Sequence, residues 1–344
     1  MSADALQQTA LAPLLAVARE VSFAKGALLV RQGETARGAF LIRSGEAEAQ
    51  VSLPGGGMLS VASFTSGAMF GEMALIERGV CSATVVARTN VDGWFVGRDD
   101  FRAMVASRDA RALEVQRAIT RTLAERLRAL NAKVREHPAQ EDRTVREPAP
   151  AGDPLAKAMR SQRASFDWRA FLPILPFFEG FDADEAEELI ASAKVLELPR
   201  GAWLFAQGQP APACFLVLRG AAEVFTQAKG SERRVAIAGP GELVGYMATL
   251  DGAPHGGNAR VRESSTLLEF PREALLGIYN GNSAVSVSLQ HAIQRSLLKS
   301  LSRTNTLLTR LISHDRLARA SDKAQELEAA LHGQIWRAEG EGLG

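Results

Sequence analysis

Two stretches of this chain carry one pattern. KGALLVRQGETARGAFLIRSGEAE, from Lys25, lies without a gap over RGAWLFAQGQPAPACFLVLRGAAE, from Arg200. Gly26 meets Gly201, Gln32-Gly33 meets Gln207-Gly208, Phe40-Leu41 meets Phe215-Leu216, and Gly45 meets Gly220. A constant offset over such a length means two copies of one folding unit. Glycines shared by both copies mark corners where the backbone takes a conformation that other residues resist. Gly26, Gly33, Gly38 and Gly45 separate short apolar runs in the first copy, a rhythm that predicts antiparallel strands joined by tight corners. The fold class that follows is mainly β with α. It comprises two antiparallel β-rolls of jelly-roll type, each flanked by helices, the second followed by a long C-terminal helix.

Residues 5–20 read as a short amphipathic helix, with Leu6, Leu11, Leu14, Leu15 and Val17 as its stripe. Short strands follow from Val21, with Pro54-Gly55-Gly56-Gly57 as a hairpin tip and another strand near Gly93 to Val96. A helix is predicted from Asp99 to about Arg135, where LAERLRALNAKV puts leucines on one face and arginines on the other. Residues 136–165, with their prolines and mixed charge, read as a mobile linker with a helical patch near Leu155 to Arg163. The second copy also ends in a helix, with Val285, Leu289, Ile293, Leu297, Leu301, Leu308, Leu311 and Ile312 largely on one side. The expected division is domain A over 1–135, a linker over 136–165, domain B over 166–312, and a C-terminal helix and tail over 313–344.

A length of 344 residues accommodates two cores, and 46% hydrophobic with 23% charged residues are the proportions of a soluble globular protein. The net charge of +1 supplies no global attraction to nucleic acid or to a membrane surface. No apolar run reaches the roughly 18 residues of a membrane span. The N-terminus lacks the basic region of a secretory signal. Cys81 and Cys214 lie far apart, without metal-ligand spacing, so a reducing cytoplasm is expected. The five histidines, His137, His255, His291, His314 and His332, form no His-x-His set with a strand carboxylate. With no P-loop, nucleophile elbow or paired-cysteine motif either, no catalytic residue, no metal and no enzymatic activity are expected.

The chemistry concentrates in FGEMALIERGVCSATVVA, Phe70 to Ala87. A glycine and a carboxylate lead into a helical turn, then a loop, then a β-type run. Turns of this kind aim backbone N–H groups into one small space, as anion-binding nests do, and Glu72 offers acceptor oxygens suited to a ligand hydroxyl. The stretch resembles the phosphate-binding cassette of cyclic-nucleotide-binding domains, usually FGE-[LM]-AL, a variable loop, then PR-x-ATV. FLPILPFFEGFDADEAEELIASAKVLELPRG resembles the helical segment that precedes the first strand in that family. Together the likeness covers about residues 10–135 and 170–312.

The resemblance implies a ligand site in domain A of Gly71, Glu72, Met73, Ala74, Cys81, Ser82, Ala83 and Thr84. In it Glu72 takes the ribose hydroxyl, and the Ala74 N–H with Ser82 and Ala83 faces the phosphate. Cys81 stands where the family has its phosphate-binding arginine, and Val80 where it has proline. A thiol cannot neutralise a phosphate, so affinity for a cyclic mononucleotide, cyclic AMP or cyclic GMP, is expected to fall by about 10- to 100-fold. Arg78, in the same loop, is a candidate substitute, and Cys81 could instead be a small buried hydrophobe or a redox-sensitive thiol. The second cassette, VGYMATLDGAPHGGNARV, keeps Gly245 but has Tyr246 for the glutamate and His255 for the arginine, with Gly256 following. Both charged contacts are missing there, and His255 could meet an anion only when protonated.

Two readings stand. One is a cyclic-nucleotide-responsive regulatory protein, its ligand held weakly in domain A, acting through a protein partner and dimerising through its long helices. The other is a scaffold of two rolls that needs no ligand. A transcription regulator of the catabolite-activator type would need a helix-turn-helix, and the about 30 residues beyond Ile312 read as one helix and a tail, so direct DNA binding is not expected. Arg163-Ala164-Ser165 resembles the inhibitor site of a kinase regulatory subunit, in a triplet too common to carry weight.

Overall fold

A computed structural model of the chain describes residues 10–52, 56–136, 152, 154–155, 160–161, 167–228 and 231–340. In domain A the strands are β1 Arg19–Phe23, β2 Leu28–Val30, β3 Gly38–Ser44, β4 Ala47–Ser52, β5 Met58–Phe64, β6 Met69–Phe70, β7 Thr84–Ala87 and β8 Val91–Gly97. Helix α1, Met73–Ile76, sits between β6 and β7, and α2, Arg98–Ala106, and α3, Ala110–Glu136, follow the roll. Two antiparallel four-stranded sheets, ordered β1-β8-β3-β6 and β2-β7-β4-β5, enclose a core that includes Ile42, Phe64, Phe70, Val85 and Val91.

Domain B repeats the plan. It begins with β9 Arg160–Ser161 and α4 Ala183–Ala191, then β10 Lys194–Leu198, β11 Trp203–Phe205, β12 Ala213–Arg219, β13 Ala222–Ala228, β14 Ser231–Ala238 and β15 Leu243–Val244. Helix α5 Tyr246–Asp251, β16 Asn258–Val261, β17 Ser265–Pro271, α6 Arg272–Tyr279 and α7 Ala284–Gly340 complete it. The sheet orders are β15-β12-β17-β10-β9 and β11-β16-β13-β14, the same topology with β9 added at one edge.

Three sequence expectations are corrected. The helix over residues 5–20 is a five-residue 3-10 turn, Ala12–Ala16, with Pro13 in its first turn, and β1 starts at Arg19 because Arg19–Phe23 pairs with Val91–Phe95; residues 1–9 lie outside the described residues. The helix expected over 99–135 is two helices. The chain breaks at Arg108, which takes a left-handed φ of 54°, while the Asp109 carboxylate accepts the Arg111 amide at 2.9 Å to start α3. The helical patch proposed for 155–163 contributes β9 instead, paired with Val195 and Leu196, and Leu155 is buried in the roll B core. Arg163-Ala164-Ser165 lies outside the described residues.

Helix α3 packs on the first part of α7. Val115, Ile119, Leu123 and Leu127 of α3 and Leu289, Ile293, Leu297 and Leu301 of α7 are all buried, in one core shared by both domains. The repeat continues into this seam. LEVQRAITRTL (113–123) aligns with VSLQHAIQRSL (287–297), so Gln116 matches Gln290 and Thr120 matches Gln294. Gln294 Nε2 donates to the Gln116 carbonyl at 3.0 Å and to Thr120 Oγ1 at 3.1 Å. Equivalent residues thus touch, as they do beside a two-fold axis. Within one chain the buried positions of these two apolar faces cover each other.

Candidate functional site

Each cassette begins at a glycine in the left-handed region. Gly71 has φ 76° and Gly245 φ 83°. A Cβ on Gly71 would stand 2.8 Å from the Gly38 carbonyl oxygen, so the corner admits no side chain. This corner turns Glu72 inward, at the head of α1, where it is wholly buried. Its Oε1 accepts from Arg126 Nη1 at 2.5 Å, and Arg126 Nη2 donates to the Met69 carbonyl at 2.5 Å. The Arg126 guanidinium also lies 5.3 Å above the Phe64 ring, a cation–π position. Glu72 Oε2 is buried with no hydrogen-bond partner among the described residues. Leaving such an atom unpaired costs about 1–3 kcal/mol.

These groups border a cavity of about 840 Å³ inside roll A. Gly71, Glu72, Met73, Ala74, Cys81, Ser82 and Ala83 line one side, and Leu29, Ala49, Val61, Phe64 and Val85 give it an apolar inner wall. Leu301 and Asn305, from α7 of the other domain, also line it. Several of the sequence-predicted residues do other work as well, or only other work. The Ala74 amide donates to Gly71 O at 2.9 Å, so the turn already uses the N–H expected to face a phosphate. Thr84 does not line the cavity; its hydroxyl accepts the Gln32 amide at 3.0 Å and ties the start of β7 to the loop after β2. Cys81 accepts from the Gly33 amide at 2.9 Å and donates its own to Glu34 at 2.8 Å. Burial, with Glu34 nearby, pushes the Cys81 thiol up from its ordinary pKa, so it is a neutral wall of the site. Ser82 Oγ lies 4.0 Å from Met73 Sδ, a weak contact that leaves the hydroxyl available. Arg78 lines a second cavity, which adjoins the first through Ala36, Met73, Ala74 and Val80.

The second cassette reproduces this backbone with different side chains. Gly208 donates to His255 O at 2.8 Å and His255 donates to Gln209 O at 2.9 Å, the bonds that Cys81 makes with Gly33 and Glu34. Asn258 Oδ1 accepts the Gln207 amide at 2.8 Å, the role of Thr84. The His255 ring stacks on Phe205 at 3.7 Å between centroids and 4° between planes, and burial pushes its pKa down to about 4. Near pH 7 the ring is therefore neutral and offers an anion no charge. Tyr246 is buried, its hydroxyl 3.3 Å from Ser300 Oγ, and burial holds the phenol protonated far above its ordinary pKa. Gly245, Tyr246, His255 and Gly256 all line the second cavity, of about 800 Å³. Leu127, Arg128, Asn131 and Arg135 of α3 line it too. Each cavity is thus bounded partly by the helix of the other copy.

Both cassettes are fastened to their own following helix at one repeat-equivalent place, Glu72 to Arg126 and Tyr246 to Ser300. Sequence reasoning missed Arg126. Nothing local marks it, since it stands one turn of helix beyond Thr122 among other arginines on a polar face; the only available signal was its alignment with Ser300 across the repeat.

Two antiparallel rolls, each with a glycine-led turn over an internal cavity and a long helix behind it, thus make up the tandem repeat. The cyclic nucleotide-binding domain family model matches residues 20–108 and 195–282, together just over half of the chain, and the chain belongs to that family. Among curated proteins it is similar to the cyclic AMP receptor protein of Thermus thermophilus, 32% identical over 123 residues, which are 36% of this chain and 57% of that protein. It is also similar to the CRP-like cAMP-activated global transcriptional regulator of Mycobacterium tuberculosis, 25% identical over 151 residues, 44% of this chain and 66% of the relative. The chain thus spans somewhat less than two thirds of the length of these relatives. A solved structure of the regulatory domain of Toxoplasma gondii PKA with cAMP aligns over 87% of this chain and 91% of its own, at 19% identity and a TM-score of 0.33. Among the described residues no helix is long and apolar enough to cross a membrane, and no group of three or more His, Cys, Asp or Glu is placed to hold a metal.

Proposed function

We propose that this protein is a regulatory sensor whose receptor is the cavity of domain A, and that its ligand is a cyclic mononucleotide bound weakly. The observation that carries this reading is Glu72: a wholly buried carboxylate on a cavity wall, with one oxygen held by Arg126 and the other without a donor. A ribose hydroxyl reaching Oε2 supplies that donor, and a charge-assisted bond of this kind contributes about 1.5–3 kcal/mol. The apolar inner wall suits a base, and the names of the curated relatives make cyclic AMP the first ligand to test. The neutral Cys81 keeps affinity low, because the strongest contact a phosphate makes in such a site is an arginine fork.

The output element in this reading is α3. Arg126 ties it to Glu72, and two residues further along Arg128 pairs with Asp251 of domain B. A ligand that engages Glu72 changes what Arg126 is bound to, and so biases how α3 sits between the domains. The shift would be read by a protein partner docking on the helices. A second reading has one specific observation in its favour: Arg126 already neutralises Glu72, which lets the two rolls hold together as a scaffold with no ligand.

A thermal-shift panel of the full chain with cyclic AMP, cyclic GMP and adenosine separates the two. A sensor is stabilised by a cyclic mononucleotide at millimolar concentration, and the rise in melting temperature grows in Cys81→Arg. A flat response in both proteins leaves the scaffold.

A further inference from the structure

The two rolls differ at one edge. In roll B the outer side of β10 is covered by a strap from the stretch between the domains. The Gly152 carbonyl accepts from Gln209 Nε2 at 2.7 Å, Leu155 is buried in the roll B core, and Arg160 and Ser161 pair antiparallel with Leu196 and Val195, which are both buried. Roll A has the same edge without the strap. β1, the counterpart of β10, ends its sheet and pairs with β8 alone among the described residues. Glu20 and Val21, at the places of Val195 and Leu196, are exposed and half-buried. The outer side of such a strand presents backbone N–H and C=O groups that an added strand can pair with.

The side chains around this edge define what fits it. A strand added to β1 in the register of β9 on β10 sets one residue opposite Val21, the next opposite Glu20 and the one after opposite Arg19. Arg19 is exposed, lies 4.7 Å over the Phe95 ring and has no carboxylate partner among the described residues. A carboxylate on the incoming strand would pair with it. Phe23, at the place of Leu198 in the core that holds Leu155, is only partly buried against the roll A core. At the far end Glu34 stands where roll B has Gln209, and a carboxylate cannot donate to the carbonyl that Gln209 binds. The chain's own strap therefore misfits roll A at that end, and one strap per chain cannot cover two edges.

We propose that the outer side of β1 is a docking site for an extended peptide of a partner protein. The peptide adds a fifth strand, antiparallel to β1, to the sheet β1-β8-β3-β6. An apolar residue enters beside Phe23, the residue five positions on pairs with Val21, and a carboxylate two positions further meets Arg19, spacings set by Leu155 and Arg160 on roll B. A basic residue three positions before the apolar one meets Glu34. Arg19 and Phe95 also border the cavity of domain A, so the peptide lies along its rim. The inference stands with or without a cyclic nucleotide in that cavity.

The test is fluorescence anisotropy of two labelled peptides titrated with the full chain. One has the strap sequence of residues 152–163, GDPLAKAMRSQR, and the other carries Gly152→Lys and Gln162→Glu in that sequence. The proposal expects the substituted peptide to bind one per chain and at least about fivefold more tightly than the first. Arg19→Glu and Glu34→Lys in the chain each weaken it by about fivefold or more, and Leu155→Ser in the peptide by at least about tenfold. Lys194→Glu, the counterpart of Arg19 in roll B, leaves it unchanged. All three chain positions are exposed, so a loss of binding is not a loss of fold. Binding that ignores Arg19→Glu and Glu34→Lys overturns the proposal, and so does binding lost in Lys194→Glu, which means exchange with the strap on β10. No binding at millimolar peptide also overturns it and leaves Arg19 and Glu20 as charges that guard a bare edge. A wild-type dimer in light scattering that Arg19→Glu makes monomeric gives the edge to a second copy instead, and overturns it as well.

Discussion

The two cassettes share a backbone and almost no side-chain chemistry. In domain A the residue after the left-handed glycine is a glutamate facing an arginine, and in domain B it is a phenol facing a serine hydroxyl. Where A has a half-buried thiol, B has a histidine stacked on phenylalanine. Yet the loop bonds around Cys81 and His255 are the same, and the fastening to the following helix falls at the same repeat position. The backbone of the turn and its link to the helix are thus built in both copies, while a polar group awaiting a donor at the carboxylate position is kept in one. In the function proposed above domain A is the receptor, while the side chains of cassette B, Tyr246 and His255, are buried as in a core.

The largest effect should come from cutting the fastening in A. Arg126→Met leaves Glu72 buried without its cation, a loss of about 3–5 kcal/mol, read by urea unfolding. An unchanged midpoint would mean that Glu72 escapes to solvent and that the two fastenings are of one kind. Next, Cys81→Arg restores a cation to cassette A and should tighten cyclic AMP by about 10- to 100-fold in a fluorescence competition assay. The same affinity in both proteins would remove the phosphate end of the site from this loop.

The third prediction concerns pH and isolates cassette B. Burial holds His255 and His291 at pKa values of about 4, below the value near 6.5 of the unfolded chain. The unfolded chain therefore takes up protons between about pH 6.5 and 4 that the folded protein refuses, so stability falls as pH drops through that window and is level above it. His255→Phe keeps a ring on Phe205 and removes one of the two titrations, so the fall in urea midpoint between pH 7 and 4.5 should shrink. A slope identical to the wild type would show that His255 is not held neutral. Smallest of all, Ser300→Ala removes a 3.3 Å contact between hydroxyls and should cost about 0.5–1.5 kcal/mol, well below the loss at Arg126.

Much of the fold was legible because the repeat carries it. Shared glycines gave the corners, and the alternation between them gave the strands. What failed was set by contacts distant in sequence. Leu11, Leu14 and Leu15 have the spacing of a helix, but Pro13 shortens it and the pairing of Arg19–Phe23 with β8 claims the residues that follow. The break at Arg108 had a readable signal in the Ser107 and Asp109 that flank it, since both residue types favour caps over helix interiors. In the site, Gly71 and Glu72 were legible from local pattern. Arg126 was not, because it reaches the cassette from another element, and which cavity Arg78 borders could not be read from its distance in sequence. The alignment of Gln116 with Gln290 was printed in the chain and marks the helix seam, but two helical runs of leucine look alike until their polar members are matched.

The central claim is that one roll of the pair is a receptor and its twin is not. Calorimetric titration of cyclic AMP into Cys81→Arg, where affinity is high enough to count sites, tests it most directly. The account predicts one ligand per chain, with the heat abolished when Glu72→Gln is added. Two ligands per chain, or one whose binding ignores Glu72, would contradict it.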